Sequence, residues 1–572
     1  MKLTKLLLST VAAAAIVTSA SAAFDAESVY EKDCQGCHGP AHQGGVGSDI
    51  RPDVIKSKNA YKLSEVIMNG RPGTAMPAFK KGESIGHEFS KNDAAAMTDY
   101  LQHFAGKKEM VLTLDNVKKG FRPLNDRMKL MKEFPTAVDV KKVTDIVFVT
   151  ERDASKVVFL DGTTGDLLSR HPAGFAVHVT VTNKRMPRYA YSVSRDGLVT
   201  MFDLASKGQQ KIAEVRIGTE SRGLAVSPDG KYLMAGNYTP GGAILMDAMT
   251  LEPLKVYPTS SVINNEGNIE SSRVASIADT PYGPYFAFAL KDAGHVYIVD
   301  YSKEGFPVVG DIPNIGNILH DAFLNEGKEI GRYYMIASQG SDVMGIVDFK
   351  TKTLAAKVYT GAKAKPHPGQ GSSWYNEEYG QLHATVNMNV GQVTVWDNNW
   401  DVVRHIPTAG GGLFVGTSEH TPWIWADNVL GGSQNWNTVH LVHKQHLEVD
   451  RIITVGKDQG TLTKADGTVI ESWDVPHSDQ TPRILHAEPA NHGNWTMISE
   501  WNTGRIGVYE AKTGKFVKYI TGLTTPTFTY SIEHRQTIPG VDTHLPGNDI
   551  PSILNCLTVF RSYNQTVSEG PH

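Results

Sequence analysis

Cys34, Cys37 and His38, in the run Cys34-Gln35-Gly36-Cys37-His38, are the residues of this chain whose spacing most plainly carries chemistry. One helical turn brings two thiols to one side of a planar macrocycle, where they can add across its vinyl groups. The adjacent imidazole then reaches a metal at the centre, so the run reads as the attachment site of a covalent haem c. The rival reading, a redox dithiol, normally accompanies a βαβ pattern, whereas the surroundings here are Gly-rich and helix-biased. With 3 cysteines in 572 residues, the pair does not belong to a disulfide framework. A haem c usually takes a second axial ligand, and a Met/His pair raises the iron's potential toward electron transfer. Met76 in "NGRPGTAMPAFKK" is the candidate, because a Pro/Gly loop can aim its thioether. Met68 and Met97 compete, but both fall at helical spacing among apolar residues and read as core.

These ligands need a small helical frame. Ser90 followed by Asp93 predicts a capped last helix, closing the unit near Ala105. Ahead of it, residues 1–22 carry Lys2 and Lys5, an apolar run and then Ala20-Ser21-Ala22, the anatomy of a cleaved signal peptide; export to the periplasm follows. No later stretch approaches the roughly 20 apolar residues of a membrane span. The formal charge of −4 argues against nucleic acid as a partner. The reading divides the chain into residues 1–22, signal peptide; 23–106, cytochrome c unit; 107–142, linker and first strand; 143–535, a β-propeller; and 536–572, a C-terminal extension with Cys556 as an inert thiol.

The long second unit is a repeat of strands. "DIVFVTERDASKVVFLDGTTGDLLSRH", "PRYAYSVSRDGLVTMFDL" and "GPYFAFALKDAGHVYIVDYSKEGFPVVGDI" share one grammar with later segments: alternating strand, turn, strand ending in Asp, turn, strand. Recurrence about every 40 to 50 residues predicts a propeller of four-stranded blades. Eight blades are expected, with seven as the runner-up. The fold class is thus a small all-α cytochrome c domain followed by an all-β eight-bladed propeller, whose central mouth could hold a large planar ligand or simply a protein partner.

Among 21 histidines, His178, His320 and His367 are read as sitting at blade-entry turns. Singly each reads as a turn or core residue; together they could converge on one mouth. The order of the two units, with "AVHVTV", "LHDAFL" and "PHPGQG" at these intervals, resembles the cytochrome cd1 nitrite reductases from about residue 26 to 534. The resemblance implies that His178 ligates the iron of a non-covalent haem d1, that His320 and His367 stand over its distal face where nitrite binds, and that Arg152, Arg195, Arg222, Arg273 and Tyr238 line the pocket. Haem d1 carries several carboxylates, which guanidinium forks suit. The implied activity is one-electron reduction of nitrite to nitric oxide. Electrons would come through haem c from a small periplasmic cytochrome or copper protein, and protons from two imidazoles of near-neutral pKa. A homodimer is also implied. One departure is Val181, where the family has an arginine three residues after the proximal histidine.

Two alternatives stay open. One is a haem d1-binding cytochrome that helps to make haem d1 by dehydrogenating its precursor; the other is a cytochrome c fused to a non-catalytic binding propeller. His440, His443, His446, His477, His486 and His492, in an expanded segment near 425–492, could form a metal cluster, but no H-E-x-x-H or C-x-x-C spacing frames them and they read as scattered loop residues.

Overall fold

Runs such as Ile146–Glu151 and Tyr189–Ser194 are buried along their whole length, because each is covered on both faces by neighbouring sheets. The computed structural model describes residues 24–126, apart from stretches within 40–49, 56–58, 72–75, 83–86 and 105–110, and residues 143–536 apart from 328. The expected signal peptide, part of the linker, and the C-terminal extension with Cys556 lie outside the described residues.

Eight antiparallel blades follow one another along the chain, with a separate two-stranded ribbon, Val262–Ile263 against Ile269–Glu270, between the third and the fourth. The first blade is assembled from both ends of the propeller: its innermost strand, Pro526–Ser531, pairs with Ile146–Glu151. In the other blades the innermost strand comes first in sequence among the four strands of the repeat. A separate apolar cluster fills each gap between neighbouring blades: Phe148, Phe159 and Phe202 join the first to the second, for example, and Val147, Met497 and Val508 join the eighth to the first. Closure and interblade packing, rather than one central core, hold the ring.

The expanded segment is structural. The seventh blade has six strands, with Gln459–Lys464 and Val469–Asp474 added at its outer edge. On the second blade, Phe121–Pro123 adds a fifth strand against Lys211–Arg216. The short helix Leu114–Lys119 precedes it, and Val117 is buried in the cluster between the second and third blades.

The N-terminal unit is helical, with Tyr30, Ile67, Phe79, Phe89, Met97 and Leu101 in its core. Its last helix, Lys91–His103, carries the expected capping box from Ser90 and Asp93. A π-helical turn, Tyr30–Cys34, runs straight into Gln35–His38. Among the described residues no helix is long and apolar enough to cross a membrane.

One feature of the ring positions everything functional. In seven of the eight innermost strands the pairing slips by at least one residue at its mouth end. Such bulges re-aim side chains out of the pleat. The slipped positions hold His178, Arg222, His320 with Asp321, the residues after His367, and His486. The three expected histidines therefore do not sit in entry turns; they lie inside Val177–Thr182, Leu319–Leu324 and Pro366–Asn376, turned inward by bulges.

Candidate haem sites

In the helical unit, His38 Nδ1 lies 2.8 Å from the Ser48 carbonyl, which makes Nδ1 the donor and leaves Nε2 as the free lone pair, the arrangement a metal-binding imidazole needs. Gly47 lies against the same ring, too close for any side chain. Cys34 and Cys37 are free thiols on adjoining turns. Met97 is fully buried in the helix core, whereas Met76 lies partly buried in its loop. The donor set thus fits a c-type haem, with His38 and Met76 as the residues that would hold its iron.

In the propeller, the slipped strands bring the expected residues to one place. Arg222 Nη1 donates to His320 Nε2 at 2.8 Å. A guanidinium can only donate, so this nitrogen is an acceptor and the proton of the neutral ring stays on Nδ1. That Nδ1 is 2.7 Å from Asp321 Oδ1, at an angle poor for a hydrogen bond, and the other carboxylate oxygen is 3.3 Å from His367 Nε2. His367 Nδ1 donates to the Leu413 carbonyl at 2.7 Å. His320, Asp321 and His367 form the one such cluster of potential ligand atoms among the described residues. The histidines of the expanded segment stay scattered: His443 stacks on His446, His477 pairs with Asp458, and His492 pairs with Glu533. His486 is the exception, buried at the slipped position of the eighth blade between Phe414 and Phe528.

The electrostatics follow from burial among cations. Desolvation first, then the charges of Arg222 and Arg195, hold His178 neutral, well below the usual imidazole range. The slips that carry His178 and His320, and the one that begins at His367, lie at the same end of the innermost strands, so the three imidazoles face one mouth. Burial pushes His320 down to about 3, against the pull of Asp321. Asp321, half-buried, stays ionised against its desolvation, held low by both histidines and Arg222. Both imidazoles were expected near neutral pKa as proton suppliers. His320 departs from this, because burial and the Arg222 hydrogen bond make it an acceptor.

Arg152 and Arg195 directly follow the second strands of their blades, and Tyr238 takes the equivalent place in the third. Continued round the ring, that place is held by Lys291, Gln339, Met388, Asn428 and Trp501. Arg152 Nε, Arg195 Nε and Nη1, and Arg222 Nε are buried with no hydrogen-bond partner. Three guanidinium groups with idle donors, close enough for Arg222 and Arg152 to depress Arg195, make a standing demand for an anion. A planar ligand with several carboxylates, such as haem d1, meets it. His178, with no hydrogen-bond partner among the described residues, would hold the iron.

Arg273 is different: its fork is spent on Asp292, at 2.5 to 3.2 Å, although it also lies 5.3 Å over the Tyr238 ring. Val181 packs into the clusters beside the second blade, so no cation stands there. Sequence reasoning missed Asp321, Lys291 and Trp501, the last two recoverable by aligning "LKDAG" and "EWNTG" with "SRDG". Trp501 lies beneath Arg152 and Arg483, at 5.4 and 5.5 Å.

A helical cytochrome unit joined to an eight-bladed ring with an anion-seeking mouth is a haem-binding protein of oxidoreductase type. The chain belongs to the cytochrome D1 heme domain family, which matches residues 141–535; residues 21–101 match the cbb3-type cytochrome c oxidase subunit III family. It is 28% identical to a nitrite reductase of Stutzerimonas stutzeri, over 88% of this chain and 91% of that one. It is 26% identical to the dihydro-heme d1 dehydrogenase of Pseudomonas aeruginosa, over 89% and 94%. Protein NirF of the same organism shares 35% identity over 36% of this chain and half of its own length. The solved dihydro-heme d1 dehydrogenase NirN in complex with DHE superposes at a TM-score of 0.67 and 26% identity, covering 90% of this chain and all of that one.

The expectation of a nitric oxide-forming nitrite reductase is corrected by these findings. Similarity to the dehydrogenase spans both units, in sequence and in a solved structure matched over its full length. The pocket agrees in one respect, since His320 is held neutral, with Nε2 accepting a hydrogen bond from Arg222, and is no ready source of protons for nitrite.

Proposed function

We propose that this chain dehydrogenates a dihydro form of haem d1 in the periplasm, taking two hydrogens from it as two protons and two electrons. His178 holds the iron of the tetrapyrrole, and the idle donors of Arg152, Arg195 and Arg222 bind its carboxylates. One non-covalent tetrapyrrole and one haem c on Cys34 and Cys37 complete the chain. When bound, the haem c supplies a one-electron acceptor, so two single-electron exits serve each turnover. The small exported cytochrome or copper protein expected as a partner then receives electrons rather than giving them.

The observation that carries this reading is the hydrogen bond from Arg222 to His320. It fixes His320 as a neutral acceptor and leaves Asp321 to face His367. His367 takes the two protons one at a time, passing the first to solvent before it receives the second: as an imidazolium its Nδ1 meets the Leu413 carbonyl and its Nε2 meets the Asp321 carboxylate. Asp321 stabilises that cation much as a buried carboxylate supports a catalytic histidine elsewhere.

The test is to offer dihydro-haem d1 to the anaerobically purified chain carrying haem c, together with an oxidised one-electron acceptor. The expected result is conversion of the pigment's spectrum with two equivalents of acceptor reduced. Pigment retained but unconverted would leave a binding propeller, and pigment not retained at all would end the haem d1 assignment.

A further inference from the structure

The loop that leads into His178 reaches out to the cytochrome unit. Phe175, three residues before His178, lays its ring edge on Gly36, in the middle of the Cys34–His38 turn. Gly36 is buried by it, and a Cβ at that position would overlap the ring.

The loop is held for this contact. Phe175 N–H donates to Asp196 Oδ1 at 3.1 Å, and the Phe175 carbonyl accepts from Arg195 N–H at 3.0 Å. Its neighbours both have left-handed backbones, Gly174 at φ 86° and Ala176 at φ 49°. For alanine that conformation is costly, and such outliers persist where the surroundings impose them, commonly at functional sites. A side chain aimed by strained, doubly pinned backbone is not a passive surface ring.

We infer that Phe175 is the seat on which the cytochrome unit docks, and that it sets the path by which single electrons pass between the propeller pocket and the Cys34–Cys37 turn. The path has one through-space step, from the Phe175 ring to Gly36 beside Cys37. The rest is covalent: two residues, Ala176 and Val177, separate Phe175 from His178. Each dehydrogenation sends two electrons over it singly, each passed on to an external one-electron acceptor. Phe175 is a positioning residue, since it touches neither the ligand's carboxylates nor the proton acceptor.

This inference rests on the proposed function only for the direction of flow, so its test runs without turnover. In the chain carrying haem c and haem d1, haem c is reduced by a light flash and electron equilibration with the pocket is followed optically. Phe175→Ala is expected to slow equilibration at least 10-fold, and Phe175→Tyr to restore it, with the midpoint potential and spectrum of haem c unchanged. In the chain carrying haem c alone, amide exchange over residues 35–38 is expected to quicken at least threefold in Phe175→Ala and not in Phe175→Tyr. Equilibration as fast in Phe175→Ala as in the parent would overturn the path, and unchanged exchange would overturn the seat. Loss of dehydrogenation with a Phe175-dependent equilibration would instead remove the proposed function and leave this inference standing.

Discussion

At the scale of single residues, the pocket turns on one bond. Arg222 can only donate, so its contact with His320 decides which ring nitrogen carries the proton and prevents His320 from acting as an acid. Asp321 is then left to stabilise a proton on His367. Asp321→Asn should therefore lower turnover about 100-fold, in the range general-base support contributes. Tetrapyrrole retention should stay intact, measured by comparing pigment content with rate. His178→Ala should do the reverse, losing the non-covalent pigment while the haem c α-band is unchanged. The covalent site was legible because Cys34, Cys37 and His38 are neighbours in sequence, so spacing alone states their geometry. Asp321 was not, although it directly follows His320 in "LHDAFL". Adjacent residues in a regular strand face opposite ways. Only the slip between Leu319 and Ala322 puts both on one side.

At the scale of elements, the "PHPGQG" strand shows how a bulge is built. Three extra residues are accommodated between His367 and Ser372, and Gly369 and Gly371 take φ of 62° and 66°. Phe414 lies against the first glycine and Phe323 against the second, each too close for a Cβ. Gly371→Ala is thus expected to cost about 1–3 kcal/mol of stability. It should also lower turnover at least 10-fold by displacing His367, checked by thermal melting and rate together. The repeat and the eight blades could be counted from turn spacing. Which residue of each inner strand faces the mouth could not, because bulges break the alternation from which facing is read. The expanded segment proved to be an added outer hairpin, and one of its histidines is informative for stability. His440 is buried in Thr438–His443 and burial alone lowers it to about 4. Its folded pKa lies below its unfolded value of about 6.5, so the unfolded chain binds the extra proton and stability falls as pH drops from about 6.5 toward 4. At pH 5 the loss is about 2 kcal/mol. His440→Gln should flatten the fall of melting temperature between pH 7 and pH 5, and an unaltered slope would count against this account.

At the scale of the whole molecule, the ring is unequal in charge. Around equivalent places at the mouth, the first four blades present Arg152, Arg195, Tyr238 and Lys291, and the other four present Gln339, Met388, Asn428 and Trp501. Arg222 adds to the charged half. Lys291 is buried there, and that burial with the charges of Arg222 and Arg273 brings it down to about 7. A tetrapyrrole with its carboxylates on one side has a single favourable rotation about the propeller axis, and the asymmetry selects it. The same crowding works against the empty fold: Arg195 is buried beside Arg222 and Arg152 with two nitrogens idle, and their charges disfavour its own. A site kept ready for an anion is a source of instability until the anion arrives. Arg195→Gln is therefore expected to raise the melting temperature of the tetrapyrrole-free chain while weakening tetrapyrrole affinity at least 10-fold. Ligand binding stabilises by the logarithm of free ligand over Kd, so the order should invert on loading, with the parent melting above the variant once both are saturated at equal free ligand. A variant that melts below the parent in both states would show that Arg195 supports the fold itself, and that the charge of the mouth is not held in reserve for a ligand.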